Sequence, residues 1–253
     1  MASKSTISFL RSLQQKKFRN EEGLFIVEGP KMVSEVLKSD FKVSQLYATS
    51  SWVPDQHTSL PLEIITEAEM ERVSGLQTPN KVLAVVEMPA LEGPVNQLSQ
   101  GLHLLLDQIQ DPGNLGTIIR IADWFGVTSV ICSPDTADVF NPKVIQASMG
   151  SVFNVKIHYS SLADVLLKNA DGNKWPVYAT LLSGENIYNS EMDNSCFVIL
   201  GNESRGVNPV LNAFITQGVH IPRPANKSSK AESLNVAVAA GIVCSEYCRK
   251  NNP

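Results

Sequence analysis

The run LHLLLD at 102–107 is almost wholly apolar. A strand with one face in water alternates apolar and polar residues, so an unbroken run predicts a central strand covered by helices on both faces. A helix is expected from 115 to 125, with Ile118, Ile121, Ala122 and Phe125 on one stripe and Gly126 ending it. The alternation continues with strand SVIC at 129–132, a helix NPKVIQAS with Asn141 as cap and Pro142 in its first position, and strand VKIH at 155–158. Further strands are expected at 177–181, 196–201 and 218–222, and a last helix at about 233–249. This order predicts an α/β fold built on a mainly parallel sheet.

Upstream the pattern is shorter: a basic helix, strand LFIVE at 24–28, a helix opening near Pro30, VSQLYAT at 43–49, LEIIT at 62–66, a short acidic helix and VLAVVEM at 82–88. It predicts a second, small α/β domain. The stretch MPALEGPVNQLSQG at 88–101 holds two prolines and two glycines and has no period. It divides the chain into a domain at 1–92, a linker at 93–101 and a domain at 102–253, and 253 residues suffice for two such cores.

The formal net charge of −4 argues weakly against a nucleic-acid partner. Its distribution argues the other way. Residues 1–20 carry Lys4, Arg11, Lys16, Lys17 and Arg19 and no acid, so Arg11, Lys16, Lys17 and Arg19 are expected RNA contacts. No apolar run is long enough for a bilayer span, and the basic start lacks a secretory apolar stretch, which predicts a cytoplasmic protein without a membrane partner. The four cysteines form no C-x-x-C pair and the four histidines are scattered, so no metal is expected and the thiols read as buried and free.

In an open parallel sheet, ligands bind beyond the carboxyl ends of the strands. Three such places are unusually polar. The first, DQIQDPGNLGTIIR at 107–120, puts Asn114 where it could cap a helix and Arg120 about a turn and a half in. The second, ILGNESRGVNP at 199–209, is a glycine-bounded turn whose free amides suit an adenosine or carboxylate group. No G-x-G-x-x-G occurs, which disfavours a dinucleotide fold. The third, at 221–247, leads through a basic loop into Ser233-Leu234-Asn235 and an apolar helix, for which Ser233 reads as an N-cap.

In order, spacing and strand context these segments resemble the signature of the SpoU family, also called the TrmH family, of SPOUT methyltransferases. The resemblance covers 102–249. Residues 10–37 are similar to the small RNA-binding domain, related to the ribosomal L30e fold, that precedes many members. The resemblance implies a C-terminal trefoil knot, S-adenosylmethionine bound in it, a homodimer with active sites at the subunit contact, and methyl transfer to a ribose 2′-hydroxyl of structured RNA. Ribosomal RNA is favoured over transfer RNA.

Carried over residue by residue, the resemblance makes Asn114, Arg120, Glu203, Ser233 and Asn235 the catalytic set. Gly201, Ile221 and Leu234 line the cofactor, with Leu181, Asn202, Gly206 and Gly150 as further candidates. For Ile221 and Leu234 a place in the core would explain the residue equally well. A guanidinium holds its proton, so Arg120 is expected to position the phosphate and ribose and to stabilise oxyanion charge. One departure is the segment RPANKSSKAE at 223–232, longer and more basic than in the family, which brings Arg223, Lys227 and Lys230 close to the site in sequence. A catalytically silent RNA-binding or ribosome-assembly protein is the alternative, against which the five polar residues together speak. A base methyltransferase is disfavoured by the asparagine and arginine of the first motif.

Overall fold

The computed structural model describes residues 2–52, 60–91, 93, 95, 97–223 and 232–251. Contacts group the chain into two units, one of residues up to Ala90 together with Asp138–Asn154, the other of Leu91–Ala137 with the residues from Val155 onward.

In the first unit the basic segment forms two helices, α1 (Lys4–Ser12) and α2 (Lys16–Glu22), where one was expected. Gly23, left-handed at φ 65°, stops α2 and turns the chain into β1 (Leu24–Glu28). Then come α3 (Pro30–Lys38), β2 (Val43–Ala48), β3 (Leu62–Ile64), α4 (Glu67–Val73) and β4 (Val82–Glu87). A capping box between Thr66 and Glu69 starts α4. The sheet order is β1-β4-β2-β3, with only β2 and β3 parallel. One face buries Ile7, Leu10, Leu13, Ile26, Met70 and Leu83.

In the second unit six strands, all parallel, stand in the order β10-β8-β9-β5-β6-β7. They are β5 (Leu102–Leu106), β6 (Ser129–Cys132), β7 (Ile157–Tyr159), β8 (Val177–Asn186), β9 (Cys196–Leu200) and β10 (Gln217–His220). As its composition predicts, β5 is interior and buried throughout. The helices are α5 (Pro112–Trp124), α6 (Pro142–Ser148), α7 (Leu162–Asp171) and α8 (Val236–Asn251). Of these α6, with the 3-10 turn Ser151–Phe153, groups with the first unit. Helix α7 is additional to the expected elements: Ser161 caps it, and it buries Leu162, Val165 and Leu166 on the sheet.

Helix α5 begins three residues earlier than expected, because Asp111 and Pro112 supply its cap and first position. Its buried stripe is Leu115, Ile118, Ile119 and Ala122, while Ile121 and Phe125 are half-buried. Gly126 ends it in the left-handed region at φ 64°. Strand β8 pairs with β10 in a broken register: Ala179 stands opposite Gly218, and the next pair is Glu185 with Val219. The intervening residues bulge out beyond the end of β9. Gly184 pins the bulge, since a Cβ there would lie 2.4 Å from the Gly218 carbonyl oxygen.

Among the described residues no helix is long and apolar enough to cross a membrane. Cys132, Cys196 and Cys244 are buried and free, and burial pushes each thiol up to about 12.

Candidate active site

Two of the three polar segments leave adjacent strands of the second unit at their carboxyl ends, and the third opens a helix that packs against the helix of the first. Segment 107–120 follows β5, segment 201–209 follows β9, its hydrogen-bonded neighbour, and segment 233–235 opens α8, which packs against α5.

A clasp joins the first two. Burial pushes the Asp107 carboxyl above its ordinary range, and the Asn208 amide, donating to Oδ2 at 2.6 Å, pulls against that rise. Gln108 stands left-handed at φ 58°, unusual for a residue with a side chain. Its amide donates to the Ser133 hydroxyl at 2.9 Å, and its carbonyl accepts from the Asn202 side chain at 2.7 Å. This held turn sets where α5 begins. The Asp111 carboxylate then accepts from the Asn114 amide at 2.8 Å, so Asp111 is the cap assigned above to Asn114. The Asn114 side chain is thereby free for other partners.

Those partners are the other two motifs. Asn114 donates through Nδ2 to Glu203 Oε1 at 2.9 Å, and Asn235 donates through Nδ2 to Asn114 Oδ1 at 2.9 Å. The Asn235 Oδ1 accepts from the amides of Ala237 and Val238, so Asn235, not Ser233, caps α8. This cap fixes the direction of the whole chain. Two backbone donors identify the Asn235 oxygen, which leaves its nitrogen to face Asn114, whose own nitrogen must then face the carboxylate. Hydrogen bonds run from the start of α8 through two amides to an anion.

Ser233 and Arg120 are exposed, and neither is hydrogen-bonded to that chain. Asn202 is a turn organiser with little left for a ligand: it is buried, its Oδ1 accepts from the Ser204 and Arg205 amides, and its backbone bonds Gly206 in both directions. At Gly201 a Cβ would lie 2.5 Å from the Gly206 carbonyl carbon and the Val207 nitrogen, so only glycine closes the turn. Gly206 stands at φ 71° with open space around its Cβ direction.

The core explanation fails for Leu234, which is 51% exposed, and Ile221 is only half-buried. Leu181 and Leu182, in the β8 bulge, are 36% and 79% exposed. Apolar side chains left in water in the β8 bulge, just after β10 and just before α8 suit the apolar parts of a nucleoside cofactor. Gly150 belongs elsewhere. It groups with the first unit, where its Cβ direction meets Glu35 at 3.1 Å.

Of the basic residues at the N-terminus, Arg11, Lys16 and Lys17 are exposed. Arg19 corrects the expectation of an RNA contact: it is 1% exposed, donating to the Leu13 carbonyl at 2.9 Å and paired with Asp138. Lys227 and Lys230 lie outside the described residues. Among the described residues no group of three or more His, Cys, Asp or Glu could hold a metal ion.

A family model described as the SpoU rRNA methylase family matches residues 101–245, and one described as an MRM3-like substrate binding domain matches residues 4–84. The 23S rRNA (guanosine(2553)-2′-O)-methyltransferase RlmP of Bacillus subtilis (strain 168) is 35% identical over 240 residues, covering 92% of each chain. A TrmH-family protein from Porphyromonas gingivalis has a solved structure with 38% identity and a TM-score of 0.87 over 99% of both chains. The AdoMet-bound rRNA methyltransferase from Sinorhizobium meliloti is 28% identical, with a TM-score of 0.84 over 98% of this chain and 97% of the other.

Proposed function

Because this chain belongs to the SpoU rRNA methylase family, we propose that it transfers the methyl group of S-adenosylmethionine to a ribose 2′-hydroxyl of ribosomal RNA. The observation that carries this reading is the hydrogen-bonded chain Asn235–Asn114–Glu203, which draws residues from three distant segments into one place at the carboxyl ends of a parallel sheet. Nothing in packing alone requires an amide chain that ends on an exposed carboxylate.

The cofactor brings the activated methyl group. For this chain's residues, the reading gives Leu181, Ile221 and Leu234 the apolar contacts and the 201–206 turn its backbone amides. Asn202 contributes by shaping that turn. Arg120 holds the target phosphate and ribose and stabilises charge on the attacking oxygen, while Ser233 and Asn235 complete the face from α8. The domain at 1–92 takes the RNA, through Arg11, Lys16 and Lys17 but not the buried Arg19. With ribosomal RNA as substrate the protein works in the cytoplasm, and transfer RNA is the second choice.

A homodimer is part of the same reading. Trp124 on α5 is 83% exposed and Val238 on α8 is 52% exposed, and these two helices pack together. Large apolar side chains turned to water on neighbouring helices mark an association surface. Labelled-methyl transfer to RNA from cells that lack the protein tests the activity. Sedimentation at micromolar concentration tests the dimer, and Trp124→Glu should leave a monomer.

A further inference from the structure

Methyl transfer requires the ribose hydroxyl to lose a proton as its oxygen takes the methyl group. Asn114, Ser233 and Asn235 have neutral side chains with no basic atom, and Arg120 is already protonated. The described histidines are engaged elsewhere. His103 is buried between the Ser129 hydroxyl and the Ser99 carbonyl, His158 lies in β7, and His220 bonds the Gly184 carbonyl. Of the carboxylates on the surrounding segments, Glu232 ahead of α8 is not hydrogen-bonded to the amide chain. Asp107 is 3% exposed and bound to the Asn208 amide, and Asp111 is committed as the cap of α5. Glu203 alone is both exposed and joined to the amide chain. It uses Oε1 for Asn114, and its Oε2 has no hydrogen-bond partner among the described residues.

Resting on the methyl-transfer reading above, we propose that Glu203 accepts the 2′-hydroxyl proton through Oε2. The ribose oxygen forms its bond to the methyl carbon as the carbon–sulfur bond breaks, and that electron pair stays on sulfur as a neutral thioether. The proton passes from the ribose oxygen to Glu203, which becomes neutral and later releases it to water. The amide chain supports this role because the Asn114 nitrogen donates to Oε1, which fixes the orientation of the carboxylate and leaves Oε2 for the ribose hydroxyl.

The charged groups on the surrounding segments are Asp107, Asp111 and Arg120 on the first motif, Arg205 in the turn of Glu203 itself, and Arg223 and Glu232 ahead of α8. The test compares full-length wild type, Glu203→Gln and Asp111→Asn in single turnovers on an unmodified large-subunit ribosomal RNA transcript, across about pH 5 to 9. Glutamine can still accept from Asn114, so Glu203→Gln should keep its melting temperature and its affinity for S-adenosylmethionine. Its transfer rate should fall about 10²–10⁴-fold, and that residual rate should keep rising with pH where wild type is level. A Glu203→Gln rate within about threefold of wild type overturns the assignment, as does an equal loss in Asp111→Asn. Wild type that transfers no methyl group to ribosomal or transfer RNA removes the activity, and with it this role. Active wild type with active Glu203→Gln removes only the role.

Discussion

Asn235 does two things with one side chain, and the two can be separated. Asn235→Asp keeps an oxygen to cap α8 but turns a second oxygen toward Asn114 Oδ1 in place of a donor. Helix stability should hold within about 1 kcal/mol by thermal denaturation, while the Asn235–Asn114 bond is lost, the Asn114 amide is no longer held toward Glu203, and methyl transfer drops about 10–100-fold. Arg120→Ala should lower transfer about 10²–10³-fold with calorimetric affinity for S-adenosylmethionine intact; loss of that affinity would move Arg120 to the cofactor side. Two histidines set an acid limit. Burial, with a like-charged neighbour, depresses both His103 and His158 below 6.5. A group with a depressed folded value takes up its proton first when unfolded, so chemical denaturation should show stability falling as pH drops below about 6.5. The sequence revealed the identity of the polar residues but not their partners. Asp-Pro ahead of an apolar stripe was a readable cap signal that would have released Asn114 for other work, whereas nothing local marked Arg19 as buried, because its partner Asp138 lies 119 residues away.

Among the elements, the turns between strands and helices carry the site. Gly201 is a case where shape alone forbids a side chain. Gly201→Ala should strain the 201–206 turn by about 1–3 kcal/mol, and calorimetry should show weakened cofactor binding, since the same turn is given the cofactor's polar contacts. Unchanged affinity would separate the turn from the cofactor. Strand positions were legible because apolar runs such as those of β5 and β9 permit few alternatives. Register was not. The jump between Ala179 and Glu185 in β8 depends on Gly184 meeting Gly218 on β10, a contact between residues far apart in the chain. The break between α1 and α2 was also missed, since it rests on Leu13 being buried between them rather than on a glycine or proline.

Over the whole molecule, the order of motifs identified the family, while the grouping of Asp138–Asn154 with the N-terminal residues had no local signal. Phe140 packs on Phe25 with ring centroids 4.6 Å apart, Phe153 packs on Phe41, and Asp138 neutralises Arg19. Asp138→Ala should therefore cost about 3–5 kcal/mol in chemical denaturation, because it leaves a buried guanidinium unpaired. A fragment of residues 1–92 should be less stable than the same unit in the full chain, since Phe25 and Arg19 lose their cover. The central claim concerns RNA. Ribose modifications of large-subunit ribosomal RNA can be mapped by mass in cells with and without the protein, and the purified protein with S-adenosylmethionine then added to the deficient RNA. One 2′-O-methylnucleoside should be missing without the protein and restored by it, whereas an unchanged ribose-methylation map, or a missing methyl group that lies on a base, would contradict the account.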